Sequence, residues 1–134
     1  MKIMVCYSES ENAKEGLKEA AKRAKAFNGE VLVVTSVVED KKLYPKMIEP
    51  YEQELEKAQS FLNENNVPCE TTISFRKVDN ATGEDLLSFA EKENVDEIIV
   101  GIKSRSRVGK LLLGSTAQLL ILKARCPVLG VKKR

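Results

Sequence analysis

Residues 101–116, GIKSRSRVGKLLLGST, gather the groups a phosphate site needs. Gly101 closes an apolar run, Lys103, Arg105, Arg107 and Lys110 supply positive charge, and Gly114, Ser115 and Thr116 open a second apolar run. If that second run is a helix, its first N–H groups lack intrahelical acceptors and carry partial positive charge, and a glycine ahead of them lets an anion approach the backbone. Ser115 and Thr116 would add hydroxyl donors, and Arg105 with its basic neighbours would add charge-assisted contacts to phosphate oxygens. The same residues also suit a solvated strand-to-helix connection, in which exposed cations need no ligand and Ser115 only caps the helix, with Gln118 as its partner.

Other chemistries fail on particular residues. The chain has no histidine, which removes Ser-His-Asp triads and HExxH zinc sites together. The loop serines and threonines have no visible general base, so an efficient hydrolase is not indicated, and a slow ATPase using a metal in the same pocket is a third class of function. A Walker loop would need glycine at 104 and serine or threonine at 111, where Ser104 and Leu111 stand. A phospho-accepting receiver would need an acidic cluster after the first strand and an aspartate ending the third, where the chain offers Ser8 and then Phe75, Arg76 and Lys77. Glu9 and Glu11 read as an acid or metal pair, or more simply as first-turn acids complementing a helix dipole. Cys6, Cys69 and Cys126 are odd in number, widely spaced and set among apolar residues, which points to reduced core thiols rather than a disulfide framework or metal pair. Tyr7 and Phe75 read as packing residues before base-stacking platforms.

The elements that would position the loop follow from periodicity. With 134 residues the chain fits one domain with its own core. Its 22 basic and 20 acidic residues nearly cancel, arguing against a general nucleic-acid binder. No leader-like segment and no run of about 18 apolar residues is visible, so neither secretion nor a membrane span is expected and the compartment is read as cytoplasmic. Residues 2–7, 30–38, 68–78, 95–101 and 127–133 are strand-like, and the continuous apolar run at 30–38 suggests a central strand covered on both faces. Ala13, Leu17, Ala20, Ala21, Ala24 and Phe27 share a helical face, with Ser8 and Glu11 at capping-box spacing and Asn28-Gly29 as the stop. Residues 39–50, with Pro45 and Pro50, read as a mobile loop before a helix marked by Tyr51, Leu55, Ala58, Phe61 and Leu62. A Thr82–Asp85 capping pair opens a third helix, and residues 115–126 form a fourth with Lys123 and Arg125 in its last turn. This βαβαβαβαβ order predicts an α/β fold: an open, Rossmann-like five-stranded parallel sheet with helices on both faces. Ligands in such sheets lie outside the carboxyl ends of the strands where strand order reverses. Residues 7–10, 37–40 and 101–115 are then the candidate floor.

The spacing glycine, two residues, position 104, nine residues, Gly114-Ser115 resembles the phosphate motif of universal stress proteins, with Ser104 where that family has a second glycine. VDEIIVG, GSTAQLLILKARCPVLGVK and KVDNATGEDLLSFA are similar to family signatures in the same order, so the resemblance covers essentially the whole chain. It implies an adenine nucleotide alpha hydrolase-like fold and a cofactor, ATP, with or without Mg, across the ends of strands one, two and four. On that pattern Gly101 approaches ribose and phosphates, Gly114, Ser115 and Thr116 surround the phosphates, and Val37 meets adenine through its backbone. Ser8 stands where the family has a ribose-binding aspartate. Two outcomes are expected from different classes: an adenine-nucleotide-binding regulatory module, or, because Ser8 and Ser104 depart from the motif, a nucleotide-free homodimeric scaffold. In both, the short apolar strand PVLGVKK at the sheet edge pairs with a second copy.

Overall fold

The computed structural model describes residues 1–8, 10–40, 45–102 and 113–133. Five parallel strands, β1 (Lys2–Cys6), β2 (Glu30–Val38), β3 (Cys69–Arg76), β4 (Glu97–Gly101) and β5 (Val128–Val131), lie in the order β3-β2-β1-β4-β5. They are joined through α1 (Glu11–Phe27), α2 (Pro45–Glu64), α3 (Thr82–Lys92) and α4 (Ser115–Lys123). The order steps outward through β1, β2 and β3, then returns to β4 on the other side of β1, so the reversal falls between β1 and β4. The expected open parallel sheet is present. β1 rather than β2 is its centre, although β2 is paired on both sides.

Alternation along the two inner strands builds two cores. Ile3, Val5, Val31 and Val33 join Leu17 and Ala21 of α1 and Leu55 and Leu62 of α2 on one face. Met4, Cys6, Leu32 and Val34 join Leu86 and Ala90 of α3 and Ala117 and Leu120 of α4 on the other. Each fully buried aliphatic side chain contributes roughly 1.5–3 kcal/mol by leaving water, and strands buried on both faces need the unbroken apolar runs seen in this sequence. Among the described residues two acids, Glu97 and Asp85, are buried as well. Glu97, 4% exposed, is held by Arg23 of α1 through both oxygens, with Nη2 2.8 Å from Oε2. That hydrogen bond raises the Arg23 pKa further.

Several local expectations are corrected. α2 begins at Pro45, not beyond Pro50, because proline suits the first helical turn, where its absent N–H would have no acceptor anyway. Pro50 lies inside the helix; both it and Lys46, whose carbonyl it leaves unpaired, face solvent. Ser10, not Ser8, caps α1, accepting from the Ala13 amide at 3.2 Å. Ala81 precedes α3 with no side-chain cap, and Gly114 rather than Ser115 is the N-cap of α4. α4 stops at Lys123 because Ala124 is extended. Phe27 leaves the apolar face of α1 and lies exposed under the Arg23 guanidinium, 5.6 Å away. Phe75, on the edge strand β3, is also exposed rather than packed. Asn28 does end α1 in the left-handed region, at φ 51°.

Candidate functional site

The reversal between β1 and β4 opens a cleft of about 500 Å³ at the carboxyl ends of the strands. Its floor is the sheet itself. Tyr7 N–H donates to the Val34 carbonyl at 2.8 Å and Thr35 Oγ1 to the Tyr7 carbonyl at 3.2 Å, fixing the end of β1 onto β2. Of the residues singled out from sequence, Ser8, Gly101, Gly114, Ser115 and Thr116 all line this cleft. Val37 does not; it is buried, while Val34, Thr35 and Ser36 form the β2 wall. Ser104 and Arg105 lie outside the described residues, as do Lys103, Arg107 and Lys110.

Two glycines act here by different means. Gly114 takes φ 88°, a region that disfavours any residue with a Cβ, and starts α4 without a side-chain cap. The first intrahelical bond runs from Gln118 N–H to the Gly114 carbonyl at 3.0 Å. The amides of Ser115, Thr116 and Ala117 therefore have no acceptor within the helix. Gly101 instead makes room for protein: a Cβ there would lie 3.0 Å from the Ala13 nitrogen and the Asn12 carbonyl carbon. It lets the start of α1 press against the end of β4.

That contact is clasped by Asn12, which the sequence reading passed over. Asn12 Nδ2 donates to the Ile102 carbonyl at 2.6 Å, and Oδ1 accepts from the Lys133 amide at 2.7 Å. The side chain thus joins the cleft rim to the chain beyond β5. Ser8 turns toward Ser10, with the two hydroxyl oxygens 3.1 Å apart. Asp85 of α3, expected from sequence as half of a capping pair, is 9% exposed and its carboxylate instead accepts from Ser36 Oγ at 2.6 Å and Ser74 Oγ at 3.1 Å. Ser36 and Ser74 face each other in register on β2 and β3, so one carboxylate ties α3 to both strands beside the cleft. The signal was a lone acid at the edge of the Leu86–Phe89–Ala90 stripe.

The titratable groups at the floor are quiet. Burial pushes the Cys6 thiol up to about 12, so it stays protonated, and hence weakly nucleophilic, at neutral pH. Tyr7 is lifted by burial and then by the Glu54 carboxylate. Among the described residues no group of three or more His, Cys, Asp or Glu is arranged to hold a metal ion, and no helix is long and apolar enough to cross a membrane.

Residues 1–132 match the model of the universal stress protein family. The chain belongs to that family. A universal stress protein of Thermus aquaticus is 31% identical to it over 97% of each chain. The structure of a universal stress protein from Archaeoglobus fulgidus is 28% identical, with a TM-score of 0.85 over 98% of this chain and 97% of that one. Another from the same organism, solved in complex with dAMP, is 26% identical, with a TM-score of 0.76 over 98% and 95%. Within this universal stress protein fold, the open parallel sheet and the carboxyl-end cleft agree with the sequence expectation, while Ser8 contributes a hydroxyl and no charge to the rim.

Proposed function

We propose that this universal stress protein binds an adenine nucleotide, ATP, with Mg as an optional companion, in the cleft over β1, β2 and β4, and works as a cytoplasmic regulatory module of one domain. The observation that carries this is the α4 N-terminus: Gly114 at φ 88° starts the helix at the cleft, and among the described residues no side chain caps it by a hydrogen bond. Such an end favours an anion by its unpaired N–H groups and its dipole. Ser115 and Thr116 stand ready as hydroxyl donors on the same rim. The cleft's volume is in the range of small-molecule sites, and the relative in complex with dAMP lends the adenine class support.

A second reading, a nucleotide-free homodimeric scaffold, draws on different residues. β5 is an edge strand, and Ile121 and Leu122 of the adjoining α4 are exposed apolar side chains. An uncovered edge of this kind invites pairing with a second copy. Both readings use that dimer; they part on the cleft. Titration calorimetry with Mg-ATP, ADP and AMP on the ligand-free protein and on Gly114→Val decides between them. Saturable binding that the substitution removes supports the nucleotide module, and no heat at millimolar ATP leaves the scaffold. Sedimentation at tens of micromolar tests the dimer, which a monomer would refute.

A further inference from the structure

Among the described residues that line the cleft, Glu54 of α2 is the only charged one. It enters from the α1–α2 face of the sheet, whereas Gly114, Ser115 and Thr116 enter with α4 from the opposite face. Its side chain is 21% exposed, and Oε1 accepts from Lys57 Nζ at 3.2 Å along the same helix. Oε2 has no hydrogen-bond partner among the described residues. The carboxylate is close enough to Tyr7, the residue before Ser8, to raise its phenol's pKa. Ser8 and Ser10 already share hydrogen bonds with each other, and Glu54 is the anionic acceptor among the described residues on this side of the cleft.

A ligand spanning the cleft meets donating amides at one end and an accepting carboxylate at the other. Phosphate is repelled by Glu54 and drawn to α4. The planar base is suited to the apolar wall of Val34, Leu86 and Leu113, which leaves the sugar hydroxyls, vicinal O–H donors, to face α2. Resting on the nucleotide reading above, we propose that Glu54 is the ribose-recognising residue of this cleft, its unpaired carboxylate oxygen accepting from the ribose hydroxyls so that ribonucleotides are preferred to nucleotides lacking them.

Calorimetric titration of the wild type, Glu54→Ala and Glu54→Gln with ATP, 2′,3′-dideoxy-ATP and ITP tests this. The wild type is expected to bind ATP about tenfold or more tightly than dideoxy-ATP, the scale of a hydrogen bond to a charged group. Glu54→Ala closes that gap by weakening ATP alone. Glu54→Gln, which keeps a neutral acceptor, retains part of it. A gap that survives in Glu54→Ala overturns the assignment while the nucleotide site stands. So does a variant that changes the ATP-to-ITP ratio instead, since Glu54 would then serve the base amine. Equal weakening of all three nucleotides overturns it as well. A wild type that binds none of them defeats both the assignment and the nucleotide reading. Glu54 and Lys57 form an i,i+3 pair on one helix whose loss costs the fold little, and thermal melts of the variants verify this.

Discussion

Two helix N-termini meet at the same cleft and are finished in different ways. At α1, Ser10 lays its hydroxyl against the Ala13 amide, Ser8 braces Ser10, and the helix end is closed by its own side chains. At α4, a positive-φ glycine stands at the cap and contributes no side chain at all. The capping preference that stabilises most helices is satisfied at one end and suspended at the other, and the suspended end is where a ligand can do the capping. An anion is therefore expected at α4 and not at α1.

The largest effect that can break this contrast is at Gly114. Gly114→Val puts a β-branched residue at φ 88° and a side chain over the open amides; adenine-nucleotide binding is expected to fall below detection by calorimetry, with strain of about 1–3 kcal/mol appearing in urea unfolding. A variant that binds ATP as the wild type does would refute the α4 site. Next comes Gly101→Ala, whose added methyl meets the Asn12 and Ala13 backbone at 3.0 Å. It should cost about 1–3 kcal/mol in chemical denaturation, as overpacking does, with stability rather than affinity as the primary loss. Ser10→Ala, at the closed end, should cost about 1 kcal/mol and leave nucleotide affinity within about twofold. A large affinity loss there would mean that α1 also holds the anion.

The smallest expected effect is none. Cys6, on the cleft floor with its pKa near 12, should resist iodoacetamide at about pH 8 in the folded chain and react on unfolding, as mass spectrometry would reveal. The same shift sets an alkaline limit. The unfolded thiol ionises around its ordinary 9.0 while the folded one stays protonated, so this contribution to stability is complete below that pH and is lost as pH rises toward 12. Tyr7, also raised, acts in the same direction. Urea midpoints across the alkaline range would show the decline.

Much of the fold was legible because burial on both faces leaves a plain mark. The run EVLVVTSVV coincides with β2 residue for residue, and a glycine ends β4 where predicted. Helix starts were less legible. Ser8, Ser10, Thr82 and Ser115 all have the chemistry of a cap, and which one serves depends on where the preceding strand releases the chain. Of the site, the glycines and hydroxyls of α4 were visible as spacing, whereas Asn12 and Glu54 were not, and Asp85 was visible only as a capping partner. Each is a single polar residue on an amphipathic helix, distinguishable from a solvated one only when the partners Ile102, Ser36 or Tyr7 are brought beside it. Gly101 was read as space for a ligand and proves also to be space for α1.

The Asn12 clasp has a practical side. Because the Lys133 amide is one of its two partners, a fluorophore, affinity handle or fusion attached just beyond that residue would pull on the rim of the cleft through a single side chain. Met1 lies at the amino ends of the strands, where its carbonyl accepts from Glu30 N–H. Labels for the titrations above belong on that side of the sheet, away from the pocket they are meant to report on.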